Sequence, residues 1–155
     1  MNPFHKTTIG KPKKWLIEAA AEIGLDYSWL SHEVTNHFKT HVEKRHGKGA
    51  LAITEKDFEK IPEIIRKPDL AIIGIKRKGK IRNVYTKRES GLTYLYYDEM
   101  LNSNHNKVLR GCTFFKIVKP LDMENLERIV IMNEKTDLNE AKKIIAAGGH
   151  PGGEV

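Results

Sequence analysis

The chain has 155 residues, of which 39% are hydrophobic and 30% charged, and its formal net charge is +7. This is one domain's worth of an ordinary globular protein, long enough to bury a core without disulfides or a structural metal. Cys112 is the sole cysteine, which excludes an intramolecular disulfide and a thiolate metal cluster, and no apolar run approaches the roughly 20 residues that span a bilayer.

The basic balance favours an anionic partner, with nucleic acid first among the candidates. Met1–Lys14 carries cations, but no signal-peptide core follows, because Glu18 and Glu22 interrupt Trp15–Ile23. The expected setting is cytoplasmic and reducing, with no membrane partner.

Residues 1–12 read as a polar N-terminal arm. Lys13–Ile23 repeats Leu16, Ala19, Ala20 and Ile23 at helical spacing, and Gly24 supplies the stop. A second helix is predicted from Ser28 to Arg45 on the stripe Leu30, Val34, Phe38 and Val42, with Gly47 past its end. Thr54 fits an N-cap for a third helix, Glu55–Arg66, in which Asp57 holds the third position. Pro62 must kink or divide that helix, and Pro68 closes it.

From Asp69 the period changes to two. Leu70–Lys76, Lys80–Arg88, Leu92–Glu99 and Val108–Val118 read as strands rich in Ile, Val, Tyr, Phe and Thr. Their short connections predict antiparallel neighbours. The expected fold class is therefore α+β: N-terminal helices packed on a four-stranded antiparallel β-meander, with a C-terminal helix. Leu121–Met132 fits strand or helix, and a last helix is predicted from Asp137 to Ala147. The expected organisation is an arm at 1–12, a core domain at 13–120, an extension at 121–147 and a flexible Gly-rich tail at 148–155.

Two clusters carry chemistry. Between Lys76 and Arg88 stand seven basic residues and no acid: Lys76, Arg77, Lys78, Lys80, Arg82, Lys87 and Arg88. Fixed on a hairpin, they suit phosphate, although lysines also guard sheet edges against aggregation. Upstream, His32, His37, His41 and His46 fall on or at the end of the second predicted helix. His32 and His37 are five apart, which is wrong for a shared zinc, and His37 with His41 finds no third ligand, so no metal is expected. Histidine instead suits proton transfer near neutral pH, and Lys44 and Arg45 beside His46 favour the neutral base. Along the hairpin, Tyr85 shares one face with Asn83 and Lys87, while Arg82 and Arg88 share the other. One face should be core and the other the working surface, and the sequence leaves open which.

The order of these segments resembles a family. His41-Val42-Glu43-Lys44-Arg45-His46-Gly47 is followed by Ile53-Thr54-Glu55-Lys56-Asp57-Phe58-Glu59-Lys60-Ile61-Pro62-Glu63-Ile64-Ile65, then Pro68-Asp69, the basic hairpin and Thr113-Phe114-Phe115-Lys116-Ile117. From about His37 to Val118 the chain is similar to the phage-associated branch of the barnase–EndoU–colicin–RelE-like nucleases. The resemblance implies a compact ribonuclease fold and cleavage without metal or cofactor, in which a ribose 2′-hydroxyl attacks the adjacent phosphate and leaves a cyclic end. It assigns acid/base work to His46, with His41 as substitute, a closing-strand hydroxyl to Thr113, and phosphate stabilisation to Arg82 or Arg88. Tyr85 is a further candidate beside them. Lys44, Arg45, Lys76, Lys78, Lys80 and Lys87 would grip the nucleic acid. Expected partners are RNA, as tRNA or mRNA, and a cognate inhibitor, for a phage- or toxin-associated effector. The same charge and histidines would also suit a non-catalytic nucleic-acid-binding module or a phage structural protein.

Overall fold

The computed structural model describes residues 6–146; the Gly-rich tail expected at 148–155 lies outside them. The elements, in chain order, begin with β1 (Lys6–Gly10), α1 (Lys14–Glu22), β2 (Ser31–Thr35) and α2 (Asn36–His46). The short helices α3 (Glu55–Phe58) and α4 (Ile61–Arg66) follow. Then come β3 (Leu70–Arg77), β4 (Lys80–Glu89), β5 (Leu92–Asn102), β6 (Lys107–Ile117), α5 (Met123–Glu134) and β7 (Lys142–Ile145).

The fold is α+β, but the sheet is not a four-stranded antiparallel meander. Among the described residues it has seven strands in the order β1-β2-β6-β5-β4-β3-β7. It is also mixed, because β2 runs parallel to β6, with Ser31, His32 and Glu33 opposite Val108, Leu109 and Arg110. The predicted hairpins form its centre, and Lys78 and Gly79 both take positive φ in the two-residue turn between β3 and β4. The three added strands come from segments read otherwise. Within residues 1–12, Lys6–Gly10 pairs with β2. Ser31–Thr35, inside the expected second helix, is strand, and Lys142–Ile145, inside the expected last helix, pairs with β3. All three are four or five residues long and pair across large sequence separations, so tertiary pairing overrides local periodicity. The C-terminal helix is α5, at Met123–Glu134.

Both faces of the sheet are covered. On one, Ala71, Ile73, Tyr85, Tyr96 and Phe114 pack under residues of α1, α2 and α4 such as Leu16, Ala20, Phe38, Val42 and Ile64. On the other, Ile72, Val84, Leu95 and Tyr97 pack under Leu126 and Val130 of α5. No whole sheet face is left as a working surface, so a site has to form where these layers meet.

Asp57 ties the layers of the first face together. It completes a capping box with Thr54 at the start of α3. Its carboxylate accepts from Lys116 Nζ at 2.8 Å, Tyr94 Oη at 3.0 Å and the Thr54 backbone N–H at 2.9 Å. Burial pushes its pKa up, yet the bonds from Lys116, Thr54 and Tyr94 outweigh that and hold it below its ordinary value. Asp57 and Lys116 are 6% and 10% exposed, so removing the carboxylate leaves a buried ammonium unpaired. Asp57→Ala should lower unfolding stability at pH 7 by about 3–5 kcal/mol, and Asp57→Ala with Lys116→Met by clearly less, as urea unfolding will measure. Because the folded pKa is depressed, this stabilisation is complete above the unfolded carboxyl pKa of about 4 and fades as pH falls through the folded value. The stability difference between wild type and Asp57→Ala should therefore shrink on acidification.

Candidate active site

Helix α2 starts where β2 stops. Thr35, the last residue of β2, caps it by accepting from the Phe38 backbone N–H at 3.0 Å, and Phe38 and Val42 bury its inner side. The β2–β6 pairing ends at Glu33 and Arg110, so among the described residues β6 beyond Gly111 pairs only with β5. Helix α2 packs against β6, and its last turn, Lys44, Arg45 and His46, reaches that uncovered edge. The helix is stopped at Gly47, where any Cβ would collide with the Glu43 carbonyl. Beyond it the chain folds back, and the Ile53 N–H donates to the His46 carbonyl at 2.7 Å. The His46 ring then stacks on Phe115, with centroids 5.3 Å apart and planes inclined by 30°.

His46 and Phe115 line a cavity of about 470 Å³ between the end of α2, the edge of the sheet and α5. Thr113 and Tyr97 lie on its sheet side, Arg45 beside His46, and Met132, Asn133 and Glu134 come from α5. Thr113 pairs with Tyr97 across β5 and β6, and alternation puts Phe115 two residues on along the same face. The His46 pKa is lowered, first by burial and then by Arg45 and His41, so the ring is a neutral acceptor at pH 7. His41 is lowered too, by burial, Arg45 and His37, but it is exposed one turn back and does not line the cavity. The cavity therefore offers an imidazole base, a hydroxyl, a guanidinium and aromatic wall.

The other sequence-predicted residues lie as follows. Arg82 stands just behind the cavity, donating to Glu99 at 2.9 Å and to Glu134 at 3.1 Å. Glu134 is 5% exposed and also pairs with Arg77 at 3.5 Å, so the lining carboxylate holds the Arg82 guanidinium. Arg88 is on the same face but at the far end of β4, donating to Thr93 and to the Val118 carbonyl. Tyr85 is not brought to the cavity. It is fully buried on the opposite face, donating to Asp98 at 2.9 Å, and burial followed by Asp98 raises its pKa well above the usual phenol value.

The basic hairpin is largely neutralised within the fold. Lys76 pairs with Glu140, Arg77 with Glu134, Arg82 with Glu99 and Glu134, and Lys87 with Asp69. Lys78 and Lys80 are exposed at the turn, and Lys44 is exposed near the cavity. Sequence reasoning missed Phe115, Met132, Asn133 and Glu134. Phe115 could have been found from its alternation with Thr113, whereas the α5 residues carry no sequence signal because their position depends on how α5 docks.

One comparison with known proteins identifies a relation. The model of the family described as phage-Barnase-EndoU-ColicinE5/D-RelE like nuclease3 matches residues 10–122. No curated protein and no solved structure matches the chain. The match takes in α2, the capping box and all four central strands, including His46 and Thr113, and stops just before α5. The chain belongs to this family of phage-associated nucleases.

Proposed function

We propose that the protein is an endoribonuclease that needs no metal and works in the cavity between α2, β6 and α5. The observation that carries this reading is a neutral, half-buried His46, stacked on Phe115, sharing one cavity with Thr113 and Arg45. His46 takes the proton of a ribose 2′-hydroxyl as the new O2′–P bond forms. The P–O5′ bond breaks, O5′ takes a proton from water, and the imidazolium returns its own to solvent. The products are a 2′,3′-cyclic phosphate and a 5′-hydroxyl. The Thr113 hydroxyl donates to a non-bridging oxygen and Arg45 supplies the cation. Arg82 stands behind the cavity, held by Glu99 and Glu134. Phe115 holds the His46 ring in place by stacking on it. DNA lacks the nucleophile, so the substrate class is RNA. A nuclease of this kind in a phage is an effector, and a cognate inhibitor that covers the cavity is its natural partner.

The test is incubation with RNA in excess chelator and chemical identification of the new ends. Cyclic phosphate ends and undiminished rate are expected; loss of rate with the chelator overturns the metal-free route. His46→Ala should reduce cleavage by about 10²–10⁴-fold with RNA affinity nearly unchanged, and full cleavage by this variant sinks the assignment. A non-catalytic binding module would give no cleavage with any variant.

Three further outcomes follow from the geometry. The depressed His46 pKa makes kcat/KM rise with pH and level off below the ordinary histidine value of about 6.5. Thr113→Val should lower kcat by roughly 10²-fold with little change in KM. Gly47→Ala, which displaces the end of α2, should cost on the order of 10²-fold in cleavage while the protein stays folded by circular dichroism.

A further inference from the structure

The His46 cavity is larger than its chemistry requires. His46, Thr113 and Arg45 can serve one phosphate, while Ile117, Ile129 and Met132 line the same space with apolar surface. At about 470 Å³ it falls within the range of sites that hold organic ligands, and a phosphate alone leaves most of it unfilled.

Two polar groups on this wall take no part in the proton transfers. Tyr97 is wholly buried, and its Oη accepts from Asn133 Nδ2 at 3.4 Å. Among the described residues its own hydroxyl hydrogen finds no acceptor. Burial raises the phenol pKa, so that hydrogen is present throughout the working pH range. A buried donor without an acceptor is costly, and the cavity is the space this side chain lines. Asn133 is exposed and keeps its Oδ1 and a second N–H uncommitted. It stands seven residues after Leu126, where the apolar stripe of Leu126, Ile129 and Val130 on α5 would continue. Its neighbour Glu134 is taken up by Arg82 and Arg77. Tyr97 and His46 both stack on Phe115, with centroids at 6.3 Å and 5.3 Å, so the phenol and the imidazole are held in a fixed relation.

Resting on the ribonuclease reading of this cavity, we infer that Asn133 and Tyr97 form its base-reading subsite. A nucleobase adjoining the scissile phosphate lies against Ile117, Ile129 and Met132 and turns its polar edge to the amide and the phenol. A base suits this wall because its faces are apolar and its edge sets donors beside acceptors. The Asn133 amide answers such an edge with one donor and one acceptor, and Tyr97 adds a second donor. A phosphate or a sugar would leave the apolar side chains unused.

The test compares kcat/KM on RNA oligonucleotides that vary one base at a time on each side of the scissile phosphate. The wild type should prefer particular bases. Asn133→Ala and Tyr97→Phe should each shrink the ratio between the best and the worst base by about fivefold or more. Asn133 is exposed and Tyr97→Phe keeps the ring, and circular dichroism checks the folding of both. A merely structural pair would lower all rates together and leave the ratio as it was. Wild-type cleavage without base preference, or a preference that survives either substitution, overturns the subsite and leaves the ribonuclease reading intact. Should the wild type cleave no RNA, that reading falls, and calorimetric titration with the nucleoside 3′- and 5′-monophosphates decides the subsite alone. Affinities that differ among bases and level out in Asn133→Ala uphold it; equal affinities in the wild type, or differences that persist in the variant, overturn it.

Discussion

The candidate site depends on how little of β6 is paired with β2. Three rungs of parallel pairing, ending at Glu33 and Arg110, are all that join the two strands. A bare strand edge has to be covered, and here α2 and the loop after it do the covering. Its stop at Gly47 sets where the helix ends, and the stack on Phe115 sets where His46 points. Had β2 continued along β6, a strand would occupy the place of the imidazole. The same segment then anchors itself through Asp57 to Lys116, one residue from Phe115. The position of His46 and the cohesion of the fold are thus settled along one short stretch of edge.

Charge is used in two ways within this fold. At the hairpin, four of the seven cations pair with carboxylates from the loop before β3, β5, α5 and the loop before β7, so a dense basic run in the sequence becomes in part a set of structural ion pairs. The exposed pair of Lys76 with Glu140 adds little stability. The deeper carboxylates matter more. Asp57 and Asp98 are both buried on the face covered by α1, α2 and α4 and are served by tyrosine hydroxyls from the central strands. Tyr85 and Tyr94, on the face covered by α1, α2 and α4, are donors inside the core.

The sequence made legible whatever is determined locally. The Thr54–Asp57 capping box, helix α1, the turn at Lys78-Gly79 and the end of α2 near Gly47 all follow from residues within a few positions of one another. The strands β1, β2 and β7 were not legible, because KTTIG, SHEVT and KKII have no decisive period and become strands only on meeting partners far away. Val34 and Phe38 fit a helical stripe that in fact crosses from strand to helix at Thr35. His46 and Thr113 were recognisable from the resemblance, since both sit in motifs. That Glu134 would hold Arg82 was not, because it requires knowing the docking of a helix whose own identity the sequence left ambiguous.

The boundary of the family match has a consequence of its own. The shared nuclease segment ends at residue 122, and α5 begins at Met123. The matched segment provides His46 and Thr113, while the residues after it provide Met132, Asn133 and Glu134, which form the opposite wall. Under the proposed mechanism, the proton acceptor and the hydroxyl thus lie inside the matched segment, and a helix beyond it shapes the room available to a substrate.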